Sequence, residues 1–384
     1  MDNMNSVNFI IENNIGIIRG NNPPVNALSY NVRDGLVKCV NELNNNESVD
    51  AIVLMGDGRT FFAGADISEF GKPIKEPSLN EVIKAFENST KPIVAALHGT
   101  PLGGGLELAM GCHYRVALDS TMMGLPEVKL GIIPGAGGTQ RLPRLVGIEN
   151  SLEMITSGNP IDTNRALSWG LISEVYENNL FENAKTFILG KLSNKYHPIV
   201  SSNNGKVTNI NNDVFDKFTR HVQKRNRGRN SPLCAIEAIK ATTYSNFQEG
   251  LIKEKELFKK CHDSLESSSL IHMFFSERQA MKIPDIDKTV EVKKINAAAV
   301  IGCGTMGGGI AMNFANVGIP VIVIENSQEN LDKGLKIIEQ NYKNSVSKGK
   351  LKDEEFKKRL SLIKGETNIE KISSADIIIE AAFE

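Results

Sequence analysis

The sequence of 384 residues contains no apolar run approaching the roughly 18 to 20 residues that a membrane-spanning helix needs. Cysteine is scarce as well. Cys39, Cys112, Cys234, Cys261 and Cys303 are odd in number and lack metal-ligand spacing, so neither a disulfide framework nor a metal site is expected, and a reducing compartment suits them. Excess charge of either sign is missing: 44 basic against 45 acidic residues give a formal net charge of -1. No overall field draws the chain to nucleic acid or to a membrane surface. The first residues, MDNMNSVNFI, show neither the basic-then-apolar pattern of a secretory signal nor the Arg-rich, acid-poor pattern of a transit peptide.

What is present is length, which favours two domains over one core. VNFIIENNIGIIRG alternates on either side of Asn13-Asn14 and reads as a hairpin, because Asn tolerates the positive φ of a tight turn. The short apolar runs 50–56, 92–99 and 114–118 alternate with helical patterns at 31–43 and 79–88, which predicts an α/β domain. From about 150 to 275 the pattern is mainly helical. An Asn/Ser-rich loop is expected at 201–213 and an inter-domain linker at 282–294. The expected divisions are an α/β core at 1–190, a helical extension and linker at 191–292, and a second α/β unit at 293–384 with about three strands.

That second unit opens with VIGCGTMGGGIAMNFANVGIPVIVIEN, which is G-x-G-x-x-G between a strand and a helix. Gly302 makes the tight turn, Gly304 lets backbone approach a pyrophosphate, and Gly307 lets helix pack on strand. Gly302, Gly304, Thr305, Met306 and Gly307 are thus candidate dinucleotide-binding residues. Glu325, at the end of the next strand, would accept from a ribose 2′-hydroxyl and favours NAD over NADP. A complete dinucleotide domain has about six strands, so this Rossmann fold reads as partial and no hydride transfer is expected from it.

Three segments of the first unit share another pattern: RTFFAGADISEF (59–70), PLGGGLELAMGC (101–112) and MGLPEVKLGIIPGAGGTQRLPRLVG (123–147). In the first two, small residues follow a strand and leave the N–H groups of Ala65 and Gly104 uncovered. Two donors aimed at one point make an oxyanion hole. Glu107 falls in the first turn of a helix starting near Gly105, and Glu127 follows a proline. Singly, Glu107 reads as a favourable first-turn acid and Glu127 as a loop carboxylate. Together, in apolar and Gly-rich settings, they read as working carboxylates.

These segments resemble the enoyl-CoA hydratase/isomerase (crotonase) family, whose pattern includes F-x-A-G-A-D-(I/L), G-G-G-x-E-L and P-E-x-x-L-G followed by P-G-x-G-G-(T/S)-Q-R-L. Residues 295–384 resemble the 3-hydroxyacyl-CoA dehydrogenases. The domain order resembles the multifunctional fatty-acid β-oxidation enzymes of the peroxisomal bifunctional type, with 271–284 similar to their linker helix and Glu384 standing near the middle of such a chain. The resemblance implies a crotonase (spiral β-β-α) domain, a helical linker and a partial Rossmann fold. It implies hydration of a trans-2-enoyl-CoA, with Glu127 giving a proton to the α-carbon and Glu107 positioning water as base. The N–H groups of Ala65 and Gly104 would hold the thioester oxygen, and Ala63, Ala65 and Ile67 would line the entry of the CoA arm. Isomerisation of 3-enoyl-CoA by the same carboxyls is a second implied reaction. CoA thioester as substrate, NAD at a partial site and no metal complete the expectation, in a peroxisomal or cytoplasmic setting and without an assigned oligomeric state.

His98 and His113, the latter where relatives often carry Asp, are expected to be structural. A competing expectation is a catalytically weak module binding acyl-CoA or RNA, with RHVQKRNRGRN (220–230) as the basic patch. Without interleaved aromatics for base stacking, that run reads better as a solvated helix face.

Overall fold

The computed structural model describes residues 6–382 apart from 70–72, 74, 195, 203–204, 209–212, 226–227, 285 and 287–288. The chain divides into two compact units, residues 1–282 and 283–384.

The first unit is built on a six-stranded sheet in chain order: β1 (Val7–Glu12), β2 (Ile15–Gly20), β3 (Ala51–Gly56), β4 (Ile93–Leu97), β5 (Tyr114–Leu118) and β6 (Glu174–Tyr176). β1 and β2 form the expected antiparallel hairpin, turned by Asn13 (φ 50°) and Asn14 (φ 63°). The other pairings are parallel. Strands buried on both faces read as continuous apolar runs, and here the period of two divides them between two cores. Ile52, Leu54, Ala95 and Leu97 face the larger one, whereas Ala51, Val53, Val94 and Ala96 face α7 (Leu180–Leu189). β6 is a strand within the stretch expected to be mainly helical after residue 150. It has three residues and lies at the sheet edge, too short to leave a periodic signal.

Helices α1 (Tyr30–Asn45), α2 (Leu79–Glu87) and α3 (Gly104–Met110) join the parallel strands. Ser78 and Glu81 close a capping box that starts α2 beside the glycine loops. After β5 the chain runs through α4 (Gly138–Val146), α5 (Ile148–Ser157) and α6 (Thr163–Ser168). Beyond α7 come α8 (Asp213–Arg225), α9 (Ser231–Ala241), α10 (Phe247–His262) and α11 (Leu265–Ala280). The later helices are part of this unit: α9 packs on α5 and α4, and α10 on α9 and α4. On α8, Val214, Phe215 and Val222 are buried while Arg220, Lys224 and Arg225 are exposed, which is an amphipathic helix with a solvated basic face. Residues 226–227 of the basic run lie outside the described residues.

The second unit has an all-parallel sheet in the order β10 (Ile377–Glu380), β7 (Ala298–Ile301), β8 (Val321–Ile324), β9 (Ile363–Glu366). Helices α12 (Thr305–Asn316), α13 (Gln328–Ser347) and α14 (Asp353–Ser361) link them. Its core joins Val300, Val321 and Val323 to Ala311, Leu331 and Ile338. Four strands are present where about three are expected. The additional strand β9, IKGE, holds a single apolar residue and is recognisable only by its pairing with β8.

Candidate active site

Two backbone segments meet at the end of the first sheet. After β3, Phe61 and Phe62 are fully buried with their rings edge to face at 4.8 Å, which anchors the turn that follows. Asn26 Nδ2 donates to Thr60 O at 2.9 Å, and the N–H of Phe61 to His98 O at 3.0 Å, tying this turn to the loop after β4. Gly64 adopts φ 104° and the Leu28 N–H donates to its carbonyl. Gly103, at φ 53°, turns the second segment into α3. A Cβ on Gly104 would lie 3.4 Å from the Ala65 nitrogen, so the two backbones run side by side at this point. Among the described residues, neither the Ala65 nor the Gly104 N–H donates to any group. The structure thus brings the two expected donors together and leaves both unspent. Ala63 and Ile67, half-buried, flank Ala65, and the Ala63 N–H is used by Val25 O.

Glu107 is 2% exposed on α3. Its Oε1 accepts from the N–H groups of Ala136 at 2.9 Å and Gly138 at 2.7 Å, while its Oε2 accepts from none of the described residues. Burial raises its pKa, opposed by those two amides and the charge of Arg141. Glu127 opens a 3-10 turn (Glu127–Leu130) after Pro126, and its carboxyl abuts Gly103: a Cβ there would lie 2.9 Å from Glu127 Oε1. Its Oε2 is sealed from solvent and accepts from no donor among the described residues. Burial raises the Glu127 pKa well above the usual carboxylate range, and the charges of Glu107 and Glu254 add to the rise, against its own backbone amide. Two acids in one apolar site therefore differ: Glu107 has the hydrogen bonds of a carboxylate, and Glu127 has the surroundings of a protonated acid.

A third acid stands with them that sequence reasoning missed. Glu254, 2% exposed on α10, accepts from the N–H of Gly137 and from the N–H and hydroxyl of Thr139. Its signal was available: Phe247, Gly250, Glu254, Leu257 and Cys261 form the buried face of α10 at helical spacing, with one acid among them.

Each of the two histidines contacts backbone through one ring nitrogen. His113 Nδ1 accepts the Ile93 N–H at 3.0 Å, and His98 Nε2 pairs with Gly58 O at 3.1 Å.

In the second unit the glycines divide their work as the motif predicts. Gly302 has φ 100° and a Cβ there would lie 2.6 Å from Ala381 O, while a Cβ on Gly307 would overlap the Gly302 carbonyl oxygen. Gly304, at the N-cap of α12, has nothing within 4 Å of its absent Cβ, so that space is open to a ligand. Thr305 begins the helix and Met306 is 63% exposed beside it. Glu325 accepts from the N–H groups of Cys303 and Asn326, both at 2.9 Å, one on each oxygen. Each oxygen keeps a lone pair for a hydroxyl. An open cradle, a helix N-terminus and an acid with acceptor capacity to spare fit a dinucleotide.

Comparison with known proteins agrees with both units. Residues 10–209 match the enoyl-CoA hydratase/isomerase family model, and residues 297–384 match that of the 3-hydroxyacyl-CoA dehydrogenase NAD-binding domain. A peroxisomal bifunctional enzyme of Danio rerio is 37% identical over 383 residues, covering 98% of this chain and 52% of the relative. A peroxisomal fatty acid beta-oxidation multifunctional protein of Arabidopsis thaliana is 36% identical over 385 residues, covering 96% and 53%. The chain spans about half the length of these curated relatives. The crystal structure of an enoyl-CoA hydratase/isomerase from Pseudoalteromonas atlantica T6c shares the fold, with a TM-score of 0.54, 23% identity, and coverage of 71% of this chain and 97% of that one.

Proposed function

The chain belongs to the enoyl-CoA hydratase/isomerase family and continues into the NAD-binding domain of the 3-hydroxyacyl-CoA dehydrogenases; from that premise we propose that its first unit hydrates trans-2-enoyl-CoA in fatty acid β-oxidation. The observation that carries this reading is the unlike pair of buried carboxyls beside two unspent N–H donors. Water lies against Glu107 Oε2, which takes one of its protons as the oxygen bonds to the β-carbon. The electron pair of the double bond moves toward the thioester, whose oxygen gains negative charge and is held by the Ala65 and Gly104 amides. Glu127 delivers its proton to the α-carbon, and proton exchange with solvent restores both acids. Ala63, Ala65 and Ile67 line the approach of the CoA arm. The peroxisomal and glyoxysomal names of the relatives support a peroxisomal setting. Among the described residues, no helix is long and apolar enough to cross a membrane.

The test is loss of conjugated-thioester absorbance on adding the protein to a 2-enoyl-CoA without NAD or metal; no loss at any pH would refute the assignment. The pH profile should be bell-shaped. Glu107 must be ionised, so the rate falls as pH drops through its pKa. Glu127 must be protonated, so the rate falls again as pH rises through its raised pKa. A profile flat on the alkaline side would remove Glu127 from the role of acid.

We further propose that the second unit binds NAD through the backbone at Gly302, Gly304 and Gly307, the α12 N-terminus at Thr305 and Met306, and the Glu325 carboxylate. NAD, when bound, supplies a hydride acceptor; the chain's own part is to hold the pyrophosphate and a ribose. Gly304→Val places methyl groups in space that is empty and at a φ of -75°, so the thermal midpoint should hold while NAD affinity falls by about tenfold or more. Equal titration curves for the two proteins would reject the site.

A further inference from the structure

Four successive amides lead into α4, and two buried acids share them alternately. The N–H groups of Ala136 and Gly138 point to Glu107 Oε1, at 2.9 and 2.7 Å. Those of Gly137 and Thr139 point the other way, to Glu254 Oε1 at 2.7 Å and Oε2 at 2.9 Å, and the Thr139 hydroxyl adds a third bond at 2.6 Å. Gly137 turns this stretch with φ 89°. Arg141 Nη1 donates to Ala136 O at 2.8 Å while Glu87 holds the rest of its guanidinium in a bidentate pair. The loop cannot rotate to aim one pair of amides without aiming the other.

We propose that Glu254 is a positioning residue for hydration: by gripping Gly137 and Thr139 from behind, it aims the Ala136 and Gly138 amides at Glu107 Oε1 and leaves Oε2 as the oxygen that takes the proton from water. This rests on the hydratase reading. Three donors point at Glu254, the Gly137 and Thr139 amides and the Thr139 hydroxyl, and they oppose the burial and the Glu107 charge that push its pKa up to about 8. Once ionised, above about pH 8, Glu254 adds its charge to that of Glu107 in holding the proton on Glu127.

Among the described residues, α3 presents Glu107 to Glu254, the 3-10 turn presents Glu127, and α4 presents the Thr139 hydroxyl. Gln140 of α4 links the network to α9, donating to Thr139 Oγ1 at 3.0 Å and to Ala238 O at 2.9 Å. Lys253, next along α10, is engaged elsewhere, with Glu237 of α9 at 2.9 Å and with Glu256. A Cβ on Gly250 of α10 would overlap Gln140 Oε1, so the helix approaches this closely only with glycine there.

The experiment compares the full chain with Glu254→Gln and Thr139→Val by steady-state kinetics across pH and by carbon NMR titration of labelled glutamate carboxyls. In Glu254→Gln the amide sets an N–H against an N–H. The displaced loop should lower kcat by about 100-fold, with KM for the enoyl-CoA changed less than about threefold. Losing the negative charge should move the alkaline limb, and the Glu127 midpoint, about one pH unit lower. Thr139→Val, which removes one donor of three, should lower kcat by roughly tenfold. A folded Glu254→Gln protein with unchanged kcat and superimposable limbs overturns the proposal. If Glu254→Gln does not fold, wild-type kcat and limbs in Thr139→Val overturn it. If the wild type itself fails to hydrate any enoyl-CoA, the hydratase reading falls separately, and an unmoved Glu127 midpoint in the NMR titration still decides against Glu254.

Discussion

Glu127→Gln is expected to lower kcat for hydration by about 100- to 10,000-fold while KM for the enoyl-CoA stays nearly constant. The substitution is close to isosteric and its amide carries no proton that can be given to carbon. Glu127 Oε2 accepts from no donor among the described residues, and its own backbone amide can keep the oxygen that Gln retains, so the fold has little reason to change. Burial of a neutral amide in place of a neutral acid is also nearly even in cost. Glu107→Gln should be as damaging to hydration for a different reason. Its Oε1 is the acceptor for two amides, and the nitrogen then occupies the Oε2 position, where a base is needed. The two variants separate when a 3-enoyl-CoA is supplied. Moving a proton between the α- and γ-carbons needs one acid-base group and no water, so Glu107→Gln should retain isomerisation far better than hydration, whereas Glu127→Gln should lose both. The readouts are loss of conjugated-thioester absorbance for hydration and its appearance for isomerisation. Full hydration rates in both variants would end the catalytic reading of this site.

The second large effect concerns Gly105, the last of the three successive glycines. Gly105→Ala puts a methyl group onto the carbonyl oxygen of Phe62, with the carbonyl carbon 2.6 Å away and Phe62 Cβ at 3.2 Å. That carbonyl cannot easily retreat: the Phe62 ring fills the space against Gly20 and packs edge to face on Phe61. Relief must come from parting the two loops, which carries the Ala65 amide away from that of Gly104. The expected cost is about 3 kcal/mol or more, read as a drop in the urea midpoint. At a denaturant concentration where the variant is still folded, hydration should be lower by about 100-fold or more, because one oxyanion donor is misplaced. A variant with the wild-type midpoint and rate would show that close contact of these two backbones is not what requires glycine.

Several parts of this arrangement are legible along the chain. The Asn13-Asn14 hairpin, the apolar strands and the GxGxxG turn depend on φ preferences and side-chain volume, which act within a few residues. Glu107 and Glu127 are visible for the same reason, as acids inside segments otherwise stripped of polar side chains. β6 and β9 are not, since a three- or four-residue edge strand owes its existence to the neighbour it pairs with. Glu254 is the instructive omission. In KEKEL it looks like one more charge on a helix surface, and its hydrogen-bond donors stand 115 and 117 positions earlier in the chain.

The sequence by itself determined where backbone must be bare, where the chain must turn, and which acids lie in apolar company. Tertiary structure alone decided what those acids are. Ala136 and Gly138 orient the Glu107 carboxyl, Glu254 grips the far side of the same loop, and burial beside Glu107 and Glu254 raises the Glu127 pKa well above the usual carboxylate range. The physical reason is range. Conformational preference is a property of neighbouring residues, whereas the charge state of a buried acid is set by desolvation and by whichever dipoles and charges the fold brings to it from remote segments.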